Sequence, residues 1–343
     1  MAMSADCVLV TGGAGYVGSH TVLELLLSGS NVVVLDNLSN GHRESLRRVD
    51  RLANRPLEFV LGDVRDQGLL EELFTTRRIG SVIHFAGLKS VSESVNQPIE
   101  YFDINVGGSI ALFRAMKNSG VSRIAFSSSA SIYAESMDGP VDEDSAIALP
   151  NSPYGRSKLM VEQILGDLAR SEPDWSVGLL RYFNPVGAHE SGLIGEDPHG
   201  TPDNLLPYVG QVASGRLPKL RVFGSDYPTR DGTGVRDYIH VVDLALGHIA
   251  ALQFLKDHSG VFTWNFGTGK GYTVLEVVEA FQRVSGKQIP LEFCARRPGD
   301  TAECWSNSSR AERELGWVAK KSLSQMMADT WRWHSANPGG FSE

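Results

Sequence analysis

Short, almost continuously apolar runs alternate with stretches of helical period through the first half of the chain. The runs fall at residues 7–11, 31–36, 57–61, 81–86, 124–128 and 176–182, and read as strands covered on both faces. Between them, residues 17–27, 68–75, 99–117 and 153–170 repeat apolar positions at helical spacing. Such alternation predicts an α/β fold with a doubly wound parallel sheet. Ligands of these sheets bind beyond the carboxyl ends of the strands. Asp36, Asp63, the Ala86-Gly87 pair, Ser127 to Ser129 and Asn184 stand at such ends. Past residue 184 the pattern changes. Turn-rich segments at 192–204, 224–234 and 296–300 separate helical stretches at 205–214, 242–256, 274–285 and 322–336. The expectation is a first domain over residues 1–183 and a smaller α/β lobe over 184–343, with some later segments returning to the first domain. Residues from Asn337 onward are expected to fray.

The turn between the first strand and the first helix narrows the reading. It runs Thr11-Gly12-Gly13-Ala14-Gly15-Tyr16-Val17-Gly18, with glycines at Gly12, Gly15 and Gly18. Without side chains, backbone N–H groups approach a pyrophosphate closely, and a helix start favours negative charge. The next strand ends in Asp36, near the spacing at which an acid meets the adenosine ribose. A carboxylate there accepts from ribose hydroxyls and repels a 2′-phosphate, so NAD is favoured over NADP in a Rossmann-type domain.

Composition excludes several classes. The chain has 343 residues, 42% of them hydrophobic and 21% charged, within the range of soluble globular proteins. A net charge of −8 opposes general binding of nucleic acid or anionic membranes. An anionic substrate would therefore be held by local arginines. No apolar run approaches the ~20 residues that span a bilayer, and residues 1–6 do not read as a secretory signal. Cys7, Cys294 and Cys304 are an odd number without metal-type spacing, which points to a cytoplasmic protein with no metal site.

Candidate chemistry lies at 127–158. Ser152 suits the cap of a helix and Pro153 its first position. Tyr154 and Lys158 then project from one helical face. A phenol is a poor base at neutral pH. A neighbouring ammonium and an oxidised nicotinamide would lower its pKa. Tyr154 could then take a substrate hydroxyl proton as hydride leaves the same carbon. Lys158 could also bond the nicotinamide ribose, and Ser129 could hold the hydroxyl or relay its proton.

With these motifs in this order the chain resembles the extended short-chain dehydrogenase/reductase family, and within it the UDP-glucose 4-epimerases. The resemblance runs from about Val8 to Trp333. It is carried by Asp36-Asn37-Leu38, Gly62-Asp63-Val64, the run 84–89 and Phe126 to Ala130. More specific still are the runs 182–189, 232–238 and 297–300. The resemblance implies NAD contacts from Tyr16, Val17, Asp36, Asn37, Asp63, Val64, Phe85, Ala86, Lys89 and Phe183, with Asp63 accepting from the adenine amino group. It implies UDP-hexose contacts from Asn184, Asn204, Arg221, Val222, Phe223, Arg236, Arg297 and Asp300. Two arginines suit a diphosphate, because guanidinium forks give charge-assisted paired bonds.

The implied reaction inverts C4 of the hexose through a transient 4-keto sugar, with NAD retained throughout. In strict members a tyrosine precedes the tryptophan that is Trp305 here. Cys304 leaves the volume of that ring free, so UDP-N-acetylhexosamines are expected substrates as well. Two positions depart from the family pattern: Ala134 replaces a usual glycine, and Ile104 replaces an asparagine that often contacts the cofactor, with Asn105 adjacent. A 4,6-dehydratase would need an Asp-Glu pair after Ser129, where Ala130 and Ser131 stand. A UDP-uronate decarboxylase and a non-catalytic nucleotide sensor are the other readings; retention of Ser129, Tyr154 and Lys158 opposes the sensor. The resemblance also implies a homodimer, paired through the helices at 99–117 and 153–170.

Overall fold

A computed structural model describes residues 7–133, 139–200, 202–297 and 300–341. Six strands lead: β1 (Cys7–Thr11), β2 (Asn31–Asp36), β3 (Glu58–Leu61), β4 (Ile79–His84), β5 (Arg123–Ser129) and β6 (Ser176–Tyr182). Three short strands follow, β7 (Asn184–Val186), β8 (Leu220–Phe223) and β9 (Val235–His240). The chain then returns to the first sheet as β10 (Gly260–Phe266), before β11 (Gly271–Thr273), β12 (Leu291–Cys294) and β13 (Glu303–Cys304). The main sheet has seven parallel strands in the order β10-β6-β5-β4-β1-β2-β3. The order reverses between β1 and β4, and the crevice beyond that point is where a doubly wound sheet takes a ligand.

The apolar runs are strands because both sheet faces are covered. Val8 and Val10 of β1 pack with helices Tyr16–Leu27, Arg43–Ala53 and Val241–Phe254. Leu9, between them, packs on the opposite face with helices Gln67–Thr76, Gly108–Asn118 and Pro153–Ser171. That alternation follows from the two-residue strand period. In β6 every residue is buried. The lobe has its own apolar core, including Val209, Val222, Tyr238, Phe281 and Met327, beneath the short strands and helices Leu205–Ala213, Val274–Ser285 and Leu323–Ala336.

Helix Val241–Phe254 and strand β10 complete the first sheet and its cover. Three features differ from the sequence reading. The helix expected at 99–117 is three pieces: Pro98–Phe102, a π-helical turn Asp103–Gly107, and Gly108–Asn118. Helices Arg43–Ala53, Val91–Asn96 and Ser309–Leu315 were not expected. The segment 337–341 is fastened rather than frayed. Asn337 Nδ2 donates to Gly192 O at 2.8 Å, and its Oδ1 accepts from Arg48 Nη1 at 2.7 Å. Phe341 is buried beside Trp333, with ring centres 4.6 Å apart, and its N–H donates to Asp197 Oδ2 at 2.8 Å.

Candidate active site

A cleft of about 290 Å³ opens along the carboxyl ends of β1, β2, β4 and β5. The glycine turn forms one wall, and its shape depends on missing side chains. Gly12 has φ +73°, and a Cβ there would stand 2.6 Å from Ala86 N. At Gly18 a Cβ would meet Gly12 O at 2.3 Å. Gly15 caps helix Tyr16–Leu27 without a side-chain bond. Its missing Cβ meets only Gly12 O, at 3.4 Å. The first-turn N–H groups are thereby presented to the cleft as an anion seat.

The acids beyond β2 and β3 are differently engaged. Asp36 accepts from Ala14 N at 2.9 Å and Leu38 N at 2.8 Å. Burial pushes its carboxyl up, and these two N–H groups oppose that shift. A carboxylate has about four acceptor positions, so two remain for ribose hydroxyls. Asp63 has none to spare. It accepts from Arg65 N and Nε on one oxygen, and from Arg65 Nη2 and Asn37 Nδ2 on the other, all at 2.9 Å. These bonds, led by those from the Arg65 side chain, hold its carboxyl at about 2. Asp63 thus fixes Asn37 and Arg65 at the wall of the cleft.

At the other end stand Ser129, Tyr154 and Lys158. Ser152 accepts from Gly155 N at 3.1 Å and starts their helix at Pro153. Lys158 Nζ donates to Ser127 O at 2.7 Å and lies 5.9 Å from the Tyr154 ring centre. Burial lowers Lys158 to about 8 against the opposing pull of Glu162. Burial also raises the Tyr154 phenol, and a hydrogen bond with Ser129 pulls it down. In the protein alone, burial is the larger influence on the phenol.

Behind this pair lies a buried network that the sequence reading missed. Arg181 of β6 donates to Glu162 through Nε at 3.1 Å and Nη2 at 2.8 Å, with both side chains almost fully buried. Ser128 Oγ donates to the same carboxylate. Arg181 Nη1 also donates to Tyr133 Oη at 3.1 Å, and Tyr133 donates to Asn265 at 2.6 Å. An arginine inside an apolar strand was the available signal, since a buried charge demands a partner.

All residues expected to touch the cofactor line this cleft, as do Asn184 and Asn204. Lys89 is paired with Glu196 at 2.9 Å. Ile104 lines the cleft, while the Asn105 amide is taken by Leu88 and Ser157. Ala134 lies outside the described residues. The remaining expected substrate residues gather in the lobe. The Arg297 and Arg221 guanidinium carbons lie 4.0 and 5.0 Å from the Phe223 ring centre. Arg236 faces Asp300 at 3.6 Å. Cys304 pairs in register with Arg236 and packs in the group formed by Ala130, Tyr133, Val141 and Phe183. Val222 is the exception: its side chain is buried in the lobe core, leaving only backbone to face a ligand.

The class this geometry defines is the extended short-chain dehydrogenase/reductase, in which a dinucleotide seat and a Tyr–Lys pair share one crevice. The family model described as GDP-mannose 4,6 dehydratase matches residues 9–330. The chain is 54% identical to the UDP-glucose 4-epimerase of Pasteurella multocida over 98% of its own length and 99% of that protein's. It is 53% identical to the Homo sapiens UDP-glucose 4-epimerase, over 98% and 99%. Among solved structures it is similar to the UDP-glucose 4-epimerase of Bifidobacterium longum in complex with NAD+ and UDP. That likeness has a TM-score of 0.96 and 50% identity, covering 98% of this chain and all of that one. The chain belongs to the UDP-glucose 4-epimerase family.

Proposed function

We propose that the chain interconverts UDP-glucose and UDP-galactose by oxidising and re-reducing C4 of the hexose, with NAD seated in the cleft. The observation that carries this reading is the placement of Ser129, Tyr154 and Lys158 in one cleft with the glycine turn and Asp36. The protein fits the cofactor. A Cβ at Gly15 would meet nothing nearer than Gly12 O at 3.4 Å, so the helix start stays accessible, and Asp36 keeps acceptor capacity for a ribose. When bound, NAD supplies a hydride acceptor and donor for C4, and its oxidised ring favours the phenolate of Tyr154.

The chain's own groups do the rest. Tyr154 as phenolate takes the O4 proton and later returns it. Ser129, whose hydroxyl lowers the phenol's pKa, holds O4 in line. The Lys158 ammonium, tied to Ser127 O, favours the phenolate by charge. The 4-keto sugar then turns about its bond to the diphosphate, and its other face is reduced. Turning requires a firm grip on the nucleotide and a loose one on the hexose. Arg236 and Arg297 supply charged forks for the diphosphate. Cys304 is a small wall beside Phe183 whose thiol is raised by burial, so it stays neutral. The volume it leaves accommodates a C2 acetamido group, and UDP-N-acetylglucosamine and UDP-N-acetylgalactosamine are proposed substrates. A dehydratase lacks support, because Ala130 and Ser131 follow Ser129.

The same reading includes a homodimer in the cytosol. Val91, Val95, Ile99 and Met160 are exposed apolar residues on helices near the cleft, a surface suited to a second copy. The three cysteines form no disulfide, and no helix among the described residues is long and apolar enough to cross a membrane.

The test is incubation with UDP-galactose without added NAD, followed by proton NMR of the C4 configuration. Inversion is expected. A 4-keto-6-deoxy product or an unchanged sugar would overturn the proposal.

A further inference from the structure

Two acids join the loop that follows β4 to the segment that opens helix Leu205–Ala213. Glu196 is buried, and its Oε1 accepts from Lys89 Nζ at 2.9 Å and from Asn204 Nδ2 at 3.0 Å. Asp203 is exposed, and its Oδ2 accepts from Ser90 Oγ at 2.5 Å and Ser92 Oγ at 2.8 Å. The carbonyl of Asp203 accepts from Arg297 Nη1 at 3.4 Å. Asn204 occupies the cap position of the 205–213 helix, yet its side chain makes no capping bond and turns to Glu196 instead. One short segment is thus fastened to the cofactor side through Lys89, Ser90 and Ser92. It is fastened to the sugar-nucleotide side through Asn204 and Arg297.

We infer that Glu196 and Asp203 are positioning residues that couple UDP-sugar binding to NAD retention, an inference resting on the assignment of both ligands made above. A carboxylate oxygen shared by two donors carries displacement from one to the other. A ligand that fixes Asn204 and Arg297 fixes segment 203–204. Through Glu196 and Asp203 it also fixes Lys89, Ser90 and Ser92 at the rim of the cofactor cleft. The effect is reciprocal, because linkage makes each ligand tighten the other by the same factor. Its value to the reaction is direct: the reduced cofactor is held while the 4-keto sugar is turning.

The experiment measures the rate at which NAD leaves the holoenzyme, by ultrafiltration and absorbance, with and without saturating UDP. In the unmodified protein UDP is expected to slow release about fivefold or more. Asp203→Ala changes an exposed side chain, and Glu196→Gln keeps side-chain size. Each is expected to reduce the UDP effect to about twofold or less, while release without UDP changes little in Asp203→Ala. Equal UDP protection in the unmodified protein and both variants makes the bonds merely structural and overturns the inference. So does an unmodified protein that binds both ligands independently. A protein that holds neither NAD nor UDP overturns the proposed function itself.

Discussion

Burial acts on Tyr154 and Lys158 in opposite directions, and both shifts suppress charge. The lysine's ordinary value of 10.5 falls to about 8 in the folded chain. Below pH 8 the fold therefore carries a buried ammonium that the unfolded chain would rather solvate, a cost of about 3 kcal/mol. Between pH 8 and 10.5 the unfolded state binds more protons than the folded one, so stability rises with pH over that window. The unfolding free energy of the unmodified protein, less that of Lys158→Met, is expected to increase from pH 7 to pH 10 in urea titrations. Parallel curves would remove the buried charge from the account. At Cys304 the issue is volume. Cys304→Tyr is expected to abolish turnover of the N-acetylated pair and to leave the plain pair within about threefold, since a ring fills the space of an acetamido group. The shared face of Tyr154 and Lys158 was legible in the sequence, because helical spacing alone sets it. Glu162, Arg181 and Glu196 were not, because their partners come from distant strands and loops. Nor could sequence show that Arg65, two residues on, bonds both oxygens of Asp63.

At the scale of elements, strands were read more surely than helices. A strand buried on both faces is an apolar run whatever surrounds it, as in β2 and β6. Helix Arg43–Ala53 carries Leu46, Val49, Leu52 and Ala53 as apolar contacts among its charges, so its period was easily passed over. The break at Asp103–Gly107 was invisible, because a π-helical turn is one residue of mismatch inside an unbroken pattern. Its effect is chemical: Asn105 turns to Leu88 and Ser157, and Ile104 faces the cleft. The segment at 337–341 shows the converse error. Phe341 sits between Trp333 and His42, whose ring centres lie 4.6 and 5.1 Å away, and it lines the cofactor cleft. Phe341→Ala is expected to cost about 3 kcal/mol of stability. Because His42 and Asp197 line the same cleft, the variant should also retain less NAD after gel filtration. A change below about 1 kcal/mol would return the segment to the status of a loose tail.

For the whole molecule, charge and apolar surface divide the labour. A net charge of −8 repels a nucleotide sugar at a distance, while Arg221, Arg236 and Arg297 gather positive charge in the lobe. Exposed apolar surface lies elsewhere. Val91, Val95, Ile99 and Met160 lie on helices Val91–Asn96, Pro98–Phe102 and Pro153–Ser171, and Ile99 is 83% exposed. Helices Val91–Asn96 and Pro98–Phe102 both pack on Pro153–Ser171, so the exposed residues ride on one rigid group. That same helix carries Tyr154 and Lys158. Pairing of two copies there would brace the catalytic helix from its outer side without adding any group to the site. The expected outcome is a dimer by light scattering at micromolar concentration. Ile99→Glu combined with Met160→Glu should yield a monomer, since two buried carboxylates per copy would face like charge across the interface. The monomer should keep its fold, because neither side chain belongs to an apolar core. A loss of activity larger than the loss of NAD binding would then show that bracing matters to Tyr154. An unmodified protein that is monomeric under those conditions would leave the exposed apolar residues to another partner.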